Sequence, residues 1–142
     1  METVHDVLTR IGGACHTIAP DETVFEAIRR MEAADVGALM VVEGGRLVGV
    51  VSERDYARKV ILKGRSSRET PVRAIMSRRI VKVRPDQPVS DCAALMMKHG
   101  IRHLPVVRRG TLLGVLSIRD VLSSTSMARM LMASLGNGSG KP

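Results

Sequence analysis

Two short segments carry the residue types best suited to meeting a polar ligand. Gly49-Val50-Val51-Ser52-Glu53-Arg54-Asp55 and Gly114-Val115-Leu116-Ser117-Ile118-Arg119-Asp120 each set a serine and an aspartate three residues apart, where an apolar run turns into a helical pattern. Two chemistries fit. Ser-x-x-Asp at a helix start is a capping box, in which each side chain bonds the other's backbone N–H, worth about 1 kcal/mol. The same geometry suits a nucleotide. Unpaired N–H groups at a helix start face phosphate, the serine hydroxyl joins them, and an aspartate accepts from both ribose hydroxyls, as the acid of dinucleotide folds does. Arg54 and Arg119, in the same first turns, add positive charge. On the residues alone, cap and site both remain open.

Catalysis is not expected. There is no nucleophile–base pair, metal cluster or Gly-rich lysine loop, and His5, His16, His99 and His103 lack a shared position. Cys15-His16 is adjacent rather than spaced like chelating ligands, and Cys15 and Cys92 make neither a disulfide framework nor a zinc site. The net charge of +8 points to anionic ligands. With one Phe, one Tyr and no Trp, the chain lacks the stacking aromatics of single-strand binders, and no helix carries a duplex-docking motif. Nucleic acid is therefore not the expected partner. No apolar run approaches the ~20 residues of a membrane span, and the start has no signal core, so a cytoplasmic location is expected.

The elements that must position these segments come in two copies. Thr17–Asp55 aligns without a gap on Lys82–Asp120, displaced by 65 residues, with 14 identities in 39 positions. Before the gapless part, Val4-His5-Asp6-Val7-Leu8 and Val72-Arg73-Ala74-Ile75-Met76 read as short amphipathic helices. Short strands are expected at His16-Ile18 and Ile80-Val83. Asp21 and Asp86 lie within N-capping range of the next helices, which carry apolar residues at helical spacing: Val24, Ala27, Ile28 and Met31, then Val89, Cys92, Ala93 and Met96. Strand pairs follow at Ala38-Val42 and Leu47-Val51, and at His103-Val107 and Leu112-Leu116. Their near-continuous apolar runs suggest burial on both faces. Each unit thus reads helix, strand, helix, two strands, helix. The domain boundaries are 1–62 for the first repeat, 63–71 for a polar linker, 72–133 for the second repeat and 134–142 for a disordered tail. Neither half has the length for a comfortable core of its own.

The doubled strand–Gly-hydrophobic-hydrophobic-Ser-x-x-Asp–helix resembles the ribose-phosphate motif of CBS-domain pairs, and Gly100-Ile101-Arg102-His103-Leu104-Pro105-Val106-Val107 matches another hallmark of that family. The likeness runs from about Thr3 to Ser123. Glu53 through Ser67 is similar to small stand-alone CBS-pair proteins of bacteria and plant organelles. The resemblance implies an α+β fold of two tandem CBS repeats packed as a pseudo-two-fold disc, commonly dimeric, with adenosine derivatives bound in clefts between the repeats. It implies an adenine nucleotide ligand (AMP, ADP, ATP or NAD(H)), a homodimer and a regulated protein partner. By position, one cleft pairs Ser117, Arg119 and Asp120 with Thr17, Ile18, Val36, Gly37 and Ala38. The other pairs Ser52, Arg54 and Asp55 with Lys82, Val83, Ile101, Arg102 and His103. Ile18, Val36, Val83 and Ile101 are the implied aliphatic walls for the base. The copies differ: Arg102, His103 and Pro105 stand where the first has Gly37, Ala38 and Met40, so the clefts are expected to differ in charge and occupancy. The alternative is an interaction or scaffold module with degenerate nucleotide sites, using the basic linker and a Met127, Met130, Leu131 and Met132 helix face.

Overall fold

The computed structural model describes residues 1–12, 15–124 and 133–134; the Met127–Met132 face and the 135–142 part of the tail lie outside them. Helix α1 spans Val4–Ile11, followed by strand β1 (Thr17–Ile18), helix α2 (Val24–Ala34) and strands β2 (Ala38–Glu43) and β3 (Arg46–Ser52). A one-turn helix α3 (Glu53–Tyr56) widens into a π-helical turn at Ala57–Ile61. After a 3-10 turn at Val72–Ala74 come α4 (Val89–His99), β4 (His103–Arg108), β5 (Thr111–Ser117) and α5 (Ile118–Leu122).

The chain forms two compact units, and neither is a contiguous repeat. One draws on residues 15–80 and 109–112, the other on 1–12, 81–108 and 113–124. In the first unit, Ile18, Val24, Ala27, Met31, Leu39, Val41, Val51 and Val60 form a core completed by Val72, Ile75 and Met76 from the start of the second repeat. In the other, Val4 and Val7 of α1 complete the core of Val83, Val89, Cys92, Met96, Leu104, Val106, Leu116 and Val121. The leading segments have exchanged places.

Hydrogen bonds explain why the leading segments are held. The first turn of α2 is capped from the polar connection: Val24 N–H donates to Thr70 O at 2.9 Å and Phe25 N–H to Ser67 O at 2.9 Å. Thr23 Oγ1 accepts from Glu26 N–H at 3.1 Å. The 63–71 stretch is therefore anchored on α2, with Arg68 stacked 3.9 Å from the Phe25 ring centroid, rather than a free tether. In the other unit the segment before α1 does the same, Val89 N–H donating to Glu2 O at 3.1 Å.

Several sequence expectations are corrected. The N-caps of α2 and α4 are Thr23 and Pro88; Asp21 instead pairs with Arg73 and Asp86 with Arg84. Val72–Met76 makes a single 3-10 turn, because Ser77 is drawn into extended pairing with Val50, their N–H groups donating to each other's carbonyls at 2.9 and 3.0 Å. That pairing stops helix growth, whereas α1, with a Thr3–Asp6 capping box and Gly12 at φ +89°, runs for two turns.

The strand expected at 80–83 shrinks to one parallel bridge, Val83 to Val106. In the first unit Met40 N–H donates to His16 O at 3.1 Å. The matching residue 65 positions on is Pro105, which has no N–H to give Val81. Central residues of β2 and β4 are buried throughout, but β3 and β5 alternate, so burial on both faces holds for one strand of each hairpin. Both hairpin turns carry two consecutive positive φ values, Gly44-Gly45 at +57° and +79° and Arg109-Gly110 at +50° and +85°. Such turns match the twist of the flanking strands.

Candidate functional site

Within the first unit, β2 and β3 bring the two halves of the motif side by side, with Ala38 in register with Ser52. Gly37 O accepts from Glu53 N–H at 3.0 Å. The second repeat repeats this contact, Arg102 O accepting from Ile118 N–H at 2.8 Å. Each unit therefore places one serine–aspartate pair beside one segment implied to meet adenine: Ser52, Arg54 and Asp55 with Thr17, Ile18, Val36, Gly37 and Ala38, and Ser117, Arg119 and Asp120 with Lys82, Val83, Ile101, Arg102 and His103.

Both capping boxes are formed. Ser52 N–H donates to Asp55 Oδ2 at 2.9 Å and Asp55 N–H to Ser52 Oγ at 3.2 Å. In the second copy, Ser117 N–H donates to Asp120 Oδ2 at 2.8 Å and Asp120 N–H to Ser117 Oγ at 3.1 Å. Two first-turn donors of each short helix are thus used, one on the carbonyl just before a strand and one on the serine. The helix starts offer a phosphate less than the sequence suggested.

The two aspartates differ at their second oxygen. Asp55 Oδ1 accepts from Lys59 Nζ at 3.0 Å, and Lys59 also donates to Ile75 O at 2.8 Å. Among the described residues Asp120 Oδ1 has no partner; the position matching Lys59 is Ser124, a fully buried residue. The side chains of Arg54, Lys82, Arg102, His103 and Arg119 are exposed and make no hydrogen bond or ion pair with the described residues. They are positive or polar groups available to an anion.

Two of the four expected walls are not available as side chains. Ile18 and Val83 are 2% and 1% exposed, each packed into its own core. Val36 and Ile101 are half-buried and keep a reachable apolar surface. Thr17 O already accepts from Arg30 Nη1 at 2.9 Å, and Arg30 is itself held by Glu22 at 2.5 Å and Glu26 at 3.0 Å. Arg30 and Lys59 are the contacts that sequence reasoning missed. The Asp55–Lys59 spacing of four, standard for helix ion pairs, was the signal for the second.

Against known proteins, the CBS domain model matches residues 3–62 and 72–126. The protein is a tandem pair of the kind its doubled motif implied, and the chain belongs to the CBS-domain family. It is 38% identical over 129 residues to the mitochondrial CBS domain-containing protein CBSX3 of Arabidopsis thaliana, covering 84% of this chain and 63% of that protein's length. Among solved structures, a CBS-domain protein of Burkholderia ambifaria is 42% identical, with a TM-score of 0.74, covering 85% of this chain and 91% of its own. The CBS domain protein PAE2072 of Pyrobaculum aerophilum, complexed with AMP, is 28% identical with a TM-score of 0.75, covering 93% and 99%. No helix among the described residues is long and apolar enough to cross a membrane.

Proposed function

We propose that this protein is a regulatory, non-catalytic module of the cytoplasm that binds an adenine nucleotide (AMP, ADP, ATP or NAD(H)) and, as a homodimer, reports it to a partner protein. The observation that carries the reading is Asp120: among the described residues its cap occupies one carboxylate oxygen and the other has no partner, and neither has the Arg119 side chain next to it in sequence. A ribose diol needs such an acceptor, and the phosphate needs such a cation. Ser117, Arg119 and Asp120 take ribose and phosphate. Ser52, Arg54 and Asp55 are the counterpart residues of the first repeat. The AMP complex of the Pyrobaculum relative supports the ligand class. Signalling requires that the nucleotide bind two states of the protein unequally.

The test is a melting series with AMP, ADP, ATP, NAD, guanine and pyrimidine nucleotides, beside duplex DNA and RNA binding assays. A ligand at a hundred times its Kd stabilises the native state by about 2.7 kcal/mol, a readily measured shift. Adenine nucleotides should raise the melting temperature more than the others. An unmoved curve with the whole panel would hand the function to the interaction-module reading, and tight nucleic-acid binding would overturn both.

A further inference from the structure

We infer that Lys59 acts as a built-in occupant of the first repeat's acid, so that the chain holds one nucleotide and holds it through Asp120. This inference rests on the nucleotide reading above and names which of the two aspartates serves it.

All the parts lie within one unit. Asp55 is provided with donors on both oxygens: Oδ2 accepts from Ser52 N–H at 2.9 Å and from Ser52 Oγ–H at 3.0 Å, and Oδ1 accepts from Lys59 Nζ at 3.0 Å. A ribose diol meets a carboxylate through both of its hydroxyls, and the oxygen it would reach is already taken. The occupant is charged, and a charge-assisted hydrogen bond is roughly twice as strong as a neutral one. A sugar hydroxyl taking that oxygen would have to displace the ammonium from Asp55 Oδ1 and from Ile75 O together.

Lys59 is held in place from two further directions. Its amine donates to Ile75 O at 2.8 Å, so moving it would leave a carbonyl without its partner. The backbone around it is the π-helical turn Ala57–Ile61, a rare conformation that often marks a functional position. It follows the single α-turn of α3 directly and includes Lys59 itself.

Among the described residues the second repeat shows no counterpart of this ion pair. Sixty-five residues on, the position is Ser124, which carries no charge. Asp120 Oδ1 is left without a partner among the described residues. Both capping boxes are kept, and among the described residues Asp55 alone of the two acids has a cation on its second oxygen.

The experiment is calorimetric titration with AMP, ADP, ATP and NAD in turn, on wild type, Lys59→Met and Asp120→Asn. Methionine keeps the length of the lysine stem without the ammonium. Wild type should take one equivalent per chain. K59M should take two, the second within roughly tenfold of the first, where tenfold is 1.4 kcal/mol. D120N should lose the wild-type equivalent. Two equivalents in wild type, or one in K59M, would overturn the inference while leaving the sensor reading intact; so would retention of the wild-type equivalent in D120N. Absence of binding for all four nucleotides in wild type and K59M alike would overturn the sensor reading, and the inference with it. Melting curves of the unliganded variants establish that each is folded.

Discussion

Removing each motif aspartate in turn measures how much of its work is structural. Asp120→Ala deletes the acceptor for Ser117 N–H at 2.8 Å. Hydrogen bonds to charged groups contribute about 1.5–3 kcal/mol when well shielded. This one is half-buried, so water recovers part of the loss, and about 1 kcal/mol is expected, the usual worth of a cap. Asp55→Ala removes more: the bond from Ser52 N–H, the bond from Ser52 Oγ–H and the Lys59 ion pair. The lysine is 46% exposed, so the pair itself adds only a few tenths of a kcal/mol, and the total comes to about 1.5 kcal/mol. Urea unfolding with an unchanged slope, and scanning calorimetry, would read the two losses; for a chain this size 1 kcal/mol is roughly 3–5 °C in Tm. The excess for D55A should shrink at about 1 M salt, where screening acts within ~3 Å, and the D120A loss should not. A D120A cost equal to or above that of D55A, or no cost in either, would refute the assignment of bonds made here.

Other measurements test other parts of the fold. Glu26, held first by Arg29 and then by Arg30, has its pKa lowered from 4.5 to about 2. Its stabilising contribution is therefore present above pH ~4.5 and lost as pH falls toward 2; Glu26→Gln should flatten that acid limb of the Tm profile, and an unchanged limb would show the pairs are not formed in solution. Burial pushes the Cys92 thiol up to about 11 while Cys15 is only partly buried, so a thiol reagent at pH 8 should label Cys15 promptly and Cys92 only on unfolding; equal rates would contradict the packing of α4. At Gly49 an added Cβ would lie 2.6 Å from Met76 Sδ and 3.1 Å from Ser77 O. Gly49→Ala should therefore cost about 1–3 kcal/mol by overpacking in a denaturant titration, and a neutral result would mean the Met76 segment is not seated there.

Much of this architecture was legible because duplication writes each element twice. The hairpins announced themselves through Gly44-Gly45 and Arg109-Gly110 between apolar runs, and both helix starts through Ser52 and Ser117. What was not legible depended on choices made at a distance. Nothing local to Pro105 says that its missing N–H will cancel a strand near Val81. Nothing in Val72–Met76 says that Ser77 will be claimed by Val50 before a helix can grow. The candidate site was half legible for the same reason. The serines and aspartates are sequence signals, but the burial of Ile18 and Val83 and the capture of Asp55 by Lys59 are tertiary outcomes.

The exchange of leading segments follows from that local degeneracy and has a consequence for how the repeats depend on each other. Val4-His5-Asp6-Val7 and Val72-Arg73-Ala74-Ile75 offer similar apolar faces, so by pattern either could complete either core. The decision lies in the backbone. Glu2 O caps α4 through Val89, and Thr70 O caps α2 through Val24, so each leading segment supplies a carbonyl to the first helix donors of the repeat it did not come from. Buried helix donors left without partners are costly, and Val4, Val7, Val72 and Ile75 are each no more than 1% exposed. A single repeat cut at its sequence boundary therefore loses both a cap and several core side chains. Stability in this chain therefore belongs to the pair of repeats rather than to either one alone.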